Sequence, residues 1–275
     1  MYPCFWFDGQ AKAAADFYCT VFENTAIKSE NPMVVIFEIH GKKFMGLNGG
    51  PMHKVNPSIS FFVSCETEAE IDETWKKLSE GGSVLMPLNT YPWSEKYGWC
   101  QDQFGINWQL MLETKEELGE KITASLMFTQ LNAGRTEEAI QFYTSLFKNS
   151  KIDQITRYEK GEHDVEGTIK YSEFTLNGQP YRAMDSSGPH AFSFDEGISI
   201  VIDCETQEEI DYFWDGFAKE GKEDRCGWVK DKFGVSWQIV PTVLGELMSD
   251  PQRAGRVVEA FMKMKKFDIE TLLKA

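Results

Sequence analysis

A chain of 275 residues, 42% hydrophobic, 13% aromatic and 26% charged, has room for two globular domains and excludes a disordered polymer or a bundle of membrane spans. A formal charge of -15, with Lys263-Met264-Lys265-Lys266 as the one dense basic stretch, excludes binding that rests on phosphate contacts, so no nucleic-acid partner is expected. Asp8 breaks the apolar start and no apolar run reaches membrane-spanning length, so the expectation is a cytoplasmic protein without a membrane partner.

From the N-terminus, Pro3 to Phe7 forms a short apolar strand, and Ala14, Phe17, Tyr18 and Val21 then fall at the spacing of a helix with one apolar face. Val34 to Ile39 alternates as a strand and Gly41 marks a hairpin. A second β-α-β-β-β run starts at Ser58 to Ser64. Thr67-Glu68-Ala69-Glu70 has the Thr-x-x-Glu form of a capping box, and Trp75 lies on the apolar face of the helix that follows. Asp102-Gln103-Phe104-Gly105 turns the chain into a closing strand, Ile106 to Leu112.

The series then repeats. Leu126 to Leu131 is the next strand, and Ala139, Phe142, Tyr143 and Leu146 repeat the helical stripe. Phe142-Tyr143 stands 125 positions after Phe17-Tyr18, and Gly134 stands 125 after Gly9. Lys170 to Leu176 with Gly178 repeats the hairpin. Ile198 to Asp203, Thr206-Gln207-Glu208-Glu209 and Trp214 repeat the strand, cap and helix 139 positions on. Gly227-Trp228, Asp231, Phe233-Gly234 and Trp237-Gln238 then return 129 positions after Gly98-Trp99, Asp102, Phe104-Gly105 and Trp108-Gln109, with Val235 to Val240 as the closing strand. The changing offset implies loop insertions around Tyr158 to Gly167 in the second copy and Leu85 to Ser94 in the first. Asp250-Pro251 caps a last helix whose apolar stripe is Val257, Phe261 and Met264. Six cysteines, at 4, 19, 65, 100, 204 and 226, show no CxxC pair and no disulfide framework.

Two βαβββ modules per copy, a Phe-Tyr pair in the first helix and a closing Asp-x-Phe-Gly-x-x-Trp-Gln strand resemble the vicinal-oxygen-chelate superfamily of glyoxalases, bleomycin-resistance proteins and dioxygenases. Phe5-Trp6-Phe7-Asp8-Gly9-Gln10-Ala11, Gly188-Pro189-His190-Ala191-Phe192-Ser193-Phe194 and Phe233-Gly234-Val235-Ser236-Trp237-Gln238-Ile239-Val240-Pro241 are similar to its PhnB-like branch, often labelled 3-demethylubiquinone-9 3-methyltransferase. Leu244 to Pro251 and Met262 to Lys266 extend that likeness into the tail. The resemblance implies an α+β fold of tandem glyoxalase-like domains, each built of two βαβββ modules forming a curled, U-shaped mixed sheet with helices outside. The domains are set at 1–120 and 121–245, with a helical tail at 246–275. It also implies intramolecular pairing of the two domains and allows a homodimer.

Superfamily enzymes hold a divalent metal with His, Glu or Gln at the inner strand ends, a site that needs several convergent donors. The corresponding positions fall on Pro3 and Phe128, Ser58 and Gly197, the stretch Met45 to Asn48 or its counterpart with Asp185, and Gln109 and Gln238. This donor set is too poor for a metal, so no metal and no cofactor are expected. The methyltransferase label meets a further obstacle: no G-x-G turn between strand and helix is present to hold a nucleotide-type methyl donor.

Strand alternation aims Gln109 and Gln238 into the curled sheets and Trp108 and Trp237 away from them. Each Gln either binds a ligand or is satisfied by its neighbours. Gln130 is placed in the second cavity where the first copy has Phe5, which favours a working pocket in the second domain lined by Gln130, Gln238 and Trp228, with Asp185 and His190 at its rim. Trp99 and Trp228 either pack in the core or stack on a flat ligand. His53 and His190, each in a loop after a proline, are surface groups by default, with no Ser, Cys or carboxylate at a triad spacing. The expected function is metal-independent binding of a small molecule, with no reaction assigned. The alternatives are a metal-dependent lyase, isomerase or dioxygenase with an altered site, and a bleomycin-resistance-like antibiotic-sequestering protein.

Overall fold

The computed structural model describes residues 1–114 and 119–275. Four βαβββ modules follow one another. The first comprises β1 (Tyr2–Phe7), α1 (Ala11–Val21), β2 (Thr25–Glu30), β3 (Val34–Ile39) and β4 (Lys42–Asn48). The second comprises β5 (Ile59–Cys65), α2 (Glu68–Ser79), β6 (Ser83–Tyr91), β7 (Ser94–Gln101) and β8 (Asn107–Leu112). The third is β9 (Ile122–Phe128), α3 (Thr136–Leu146), β10 (Lys151–Arg157), β11 (Ile169–Leu176) and β12 (Gln179–Asp185), and the fourth is β13 (Ile198–Cys204), α4 (Gln207–Ala218), β14 (Lys222–Glu223), β15 (Trp228–Lys230) and β16 (Ser236–Pro241). The tail forms α5 (Val243–Ser249), α6 (Ala254–Phe261) and α7 (Ile269–Lys274). The fold is α+β, with two eight-stranded mixed sheets.

The modules are partnered differently from the sequence expectation. One sheet runs β10-β11-β12-β9-β5-β8-β7-β6, so the second module shares it with the third; the other runs β14-β15-β16-β13-β1-β4-β3-β2, so the fourth shares it with the first. Each sheet therefore draws one module from each copy. The join in the first is antiparallel, with Ser60 opposite Ser125 and Phe62 opposite Thr123. By contact, the chain divides into two compact units, Phe5–Ser193 and Met1–Cys4 with Phe194–Ala275.

Local chemistry explains the elements. The Thr67 and Thr206 hydroxyls accept from the Glu70 and Glu209 amides, each at 3.2 Å, as capping boxes require. The Glu70 and Glu209 carboxylates reach one residue further back than the standard box, to the amides of Glu66 and Glu205. The Asp-x-Phe-Gly turn is locked by its aspartate. Asp102 Oδ1 accepts from the amides of Phe104 and Ile106, while Oδ2 accepts from the Trp108 indole at 2.8 Å and the Tyr18 hydroxyl at 2.9 Å. Asp231 repeats this with Phe233, Val235 and Trp237. Tyr18, Phe22, Phe61 and Trp108 thus meet in one aromatic core, with Phe61 also 5.2 Å from Phe5.

Two expected elements end elsewhere. The strand placed at Leu126 to Leu131 stops at Phe128, and Gln130–Asn132 forms a 3-10 turn. Phe7 and Phe128 are the structural equivalents, since each carbonyl accepts from the residue leaving the third strand of its hairpin, Gly50 or Ser186. The glycines that follow, Gly9 and Gly134, lie further apart than that pair, so the second copy carries an inserted turn between strand and glycine. The tail helix begins at Ala254, not at Pro251, because the Asp250 carboxylate accepts from the Gln252 amide and closes a turn first.

Candidate functional site

The registers decide which side chains share the inner face of the sheet formed by modules two and three. Phe61 stands beside Trp108 and faces the aromatic core, so their neighbours Phe62 and Gln109 face the other way. Trp99 lies opposite Gln109 and Tyr97 opposite Met111, which puts all four on the inner face. Across the join, Ser60 meets Ser125, which in turn stands beside Arg182, while Met127 stands beside Met184.

Phe62, Tyr97, Trp99 and Met127 pack into a buried cluster, flanked by Met86, Tyr91, Met111, Met184 and Phe192. Gln109 sits in its midst as an anchored amide. Its Nε2 donates to Ser60 Oγ at 2.7 Å and its Oε1 accepts from the Tyr97 hydroxyl, whose proton burial holds well beyond neutral pH. Trp99 Nε1, by contrast, is buried with no hydrogen-bond partner among the described residues. Beside this cluster, and sharing Tyr91 and Met111 with it, lies a cleft of about 940 Å³, lined among others by Trp93, Glu113, Tyr171 and Arg182. Its outer wall is the β6-β7 hairpin, whose tip carries Tyr91 and Trp93 stacked at 5.1 Å. That hairpin is the Leu85 to Ser94 insertion.

The candidates from the sequence divide between the two sheets. Gln238 donates to Ser199 Oγ at 2.9 Å, repeating the Gln109–Ser60 pair, and Trp228 stands opposite it. Beside Trp228, however, the space is about 20 Å³, because β14 and β15 are two and three residues long where β6 and β7 have nine and eight. The larger cleft lies instead on the other sheet, at Tyr91, Met111 and Arg182. Gln130 does not line a cavity wall from a strand: it is exposed in the inserted turn, with φ of 53°, and donates to the His190 carbonyl at 3.0 Å.

Asp185 is 2% exposed and its carboxylate is taken up by the protein. Oδ1 accepts from the Gly134 amide and from the Thr136 amide and hydroxyl, and Oδ2 accepts from the Ile169 amide. It clamps the start of α3 to its hairpin, as Asn48 does for α1 through the Ala11 amide. His190 has a serine partner that its sequence spacing hid, since Ser186 Oγ lies 2.7 Å from Nε2. Arg182 and Glu113 carried no mark in the sequence reading, although an arginine within the apolar strand Gln179–Asp185 is a signal that could have found the first.

The thiols are unsuited to nucleophilic work. Burial pushes Cys4, Cys65, Cys100 and Cys204 each up to about 12. At pH 8 a soluble thiol reagent is expected to modify exposed Cys19 first and to reach these four only after denaturation, as peptide mass spectrometry would show. Rapid labelling of all six in the native chain would contradict the burial.

A family model described as 3-demethylubiquinone-9 3-methyltransferase matches residues 1–111 and again 120–240. The chain belongs to that family. Among solved structures, a PhnB protein from Bacillus cereus with the same family description is 35% identical, with 41% of this chain and 98% of that one covered and a TM-score of 0.39. Glyoxalase I from Zea mays is 12% identical over 90% of this chain and 94% of its own, with a TM-score of 0.60, which shows the glyoxalase-like fold across both copies of the family domain. No curated protein matches the chain.

A divalent metal of the kind that the sequence resemblance implies does not fit these residues. Among the described residues no three His, Cys, Asp or Glu side chains converge on one point, and the glutamines at the closing-strand positions are held by serines. No helix among the described residues is long and apolar enough to cross a membrane.

Proposed function

We propose that this member of the family is a metal-independent small-molecule-binding protein, with its ligand in the cleft lined by Tyr91, Trp93, Glu113 and Arg182. The reading is of binding, with no reaction assigned. It rests on one observation: a cleft of about 940 Å³, lined by Tyr91, Trp93, Met111 and Tyr171, in which Arg182 Nη1 and Glu113 Oε2 are buried without a hydrogen-bond partner among the described residues. Binding sites combine largely apolar walls with a few polar groups that fix orientation, and an unsatisfied buried donor gains a hydrogen bond when a ligand supplies the acceptor.

A thermal-shift screen of small molecules tests this, because a ligand that binds only the folded chain raises its melting temperature. Compounds that stabilise the native chain are expected to stabilise Trp93→Ala less, since Trp93 is an exposed ring on the cleft wall. A diverse library without a stabilising compound, or compounds indifferent to Trp93→Ala, would contradict the proposal.

A second reading, sequestration of a cationic antibiotic, draws on the lining of the same cleft. Among the described residues that line it, Glu66, Glu68, Glu95, Glu113 and Glu173 outnumber the one cation, Arg182. Affinity for an organic cation that falls steeply between low and high salt would favour it.

A further inference from the structure

The inner end of the cleft holds a charge pair that the described residues leave incomplete. Arg182 extends from β12 so that its guanidinium lies 4.4 Å from the Phe62 ring centroid and 5.7 Å from that of Tyr171. Its Nη2 donates to Glu113 Oε1 at 3.1 Å, and its Nε lies 3.3 Å from Glu173 Oε1, which also accepts from the Tyr171 hydroxyl. Arg182 is 9% exposed and Glu113 7%, yet Arg182 Nη1 and Glu113 Oε2 are both buried without a hydrogen-bond partner among the described residues. Buried charged groups are expensive unless their remaining lone pairs and protons are satisfied.

Both residues line the cleft, so its inner end holds one unsatisfied buried donor and one unsatisfied buried acceptor among the described residues. A carboxylate would satisfy Nη1 but bring negative charge against Glu113 and Glu173. An ammonium group would satisfy Oε2 but meet the guanidinium. A carbonyl beside an N–H answers both atoms without adding charge, and the aromatic rings of Phe62, Tyr171, Tyr91 and Trp93 suit a flat molecule.

We infer that the ligand is an uncharged planar ring with a lactam-type edge, its carbonyl oxygen accepting from Arg182 Nη1 and its N–H donating to Glu113 Oε2. The inference rests on the cleft being the ligand site and narrows what fills it.

The test titrates 2-pyridone, benzoate and benzylamine separately into the full chain, followed by calorimetry and by the indole and guanidinium NMR signals. 2-Pyridone is expected to bind about tenfold or more tightly than either charged probe, since a site built for paired hydrogen bonds rejects a mismatched edge. Glu113→Gln, which presents an amide that can turn a donor toward the ligand N–H, is expected to weaken 2-pyridone about tenfold while the melting transition stays cooperative. Where that variant loses its fold, the ranking of the three probes by the native chain decides alone. Benzoate or benzylamine binding as well as 2-pyridone, no binding of 2-pyridone, or a folded Glu113→Gln with unchanged affinity would overturn the inference. Screened compounds that act through Trp93 but share no such edge would overturn it and leave the binding site standing. Compounds that never perturb Trp93 would remove both.

Discussion

Asp102→Ala is expected to destabilise the chain by about 3–5 kcal/mol, because it breaks a buried hydrogen-bond network and leaves its donors unsatisfied. The carboxylate is 3% exposed and accepts from two turn amides, the Trp108 indole and the Tyr18 hydroxyl. Alanine would strand four donors around the first copy's aromatic core, each costing about 1–3 kcal/mol less whatever entering water repays. Tyr18→Phe removes one donor and keeps the acceptor, so its cost is expected near 1 kcal/mol. Urea denaturation of the two variants separates them, and a loss under about 1 kcal/mol for Asp102→Ala would show that the turn holds without its carboxylate.

Gly227→Ala is expected to cost about 2–4 kcal/mol, from left-handed backbone strain together with overpacking. Gly227 has φ of 80°, and an added Cβ would stand 2.5 Å from Phe267 Cε2 and 2.6 Å from the Ile239 carbonyl oxygen. Its amide also donates to the Lys265 carbonyl at 2.7 Å, so the tail is fastened to β15 at this residue. The neighbour in the repeat serves a different end: a Cβ at Gly98 would stand 2.5 Å from the Trp75 ring, which lies against that glycine. Gly255→Ala is the control, since it lies in α6 with nothing within 4 Å of the added carbon and is expected to be neutral or slightly stabilising. Equal melting temperatures for Gly227→Ala and Gly255→Ala would contradict the packing of Phe267.

The modules were legible because their signals are local. Helical stripes such as Ala14, Phe17, Tyr18 and Val21, the paired Thr-x-x-Glu caps and the Asp-x-Phe-Gly turns each act within a few residues, and their order repeats. Alternation likewise placed Gln109 and Gln238 opposite in direction to Trp108 and Trp237. Which modules share a sheet was not legible, because the pairing of β5 with β9 depends on partners distant in sequence. Gln130 misled for a related reason: aligning Gly9 with Gly134 carried the offset back across the inserted turn and onto the wrong strand position. Asp185 and the Arg182–Glu113 pair show the same limit in opposite directions. One is a polar residue consumed by backbone amides, and the other joins residues 69 positions apart, so neither role is written in spacing. The Leu85 to Ser94 insertion was visible as extra length, but only the fold shows that it walls the cleft.

The most direct measurement is the indole N–H spectrum of uniformly ¹⁵N-labelled protein, with its eight tryptophans assigned by single replacement, recorded against each compound that raises the melting temperature. The Trp93 signal should move in proportion to occupancy while that of Trp228, beside the nearly closed space of the other sheet, stays in place. Stabilising compounds that shift Trp228 and leave Trp93 untouched would contradict the central claim.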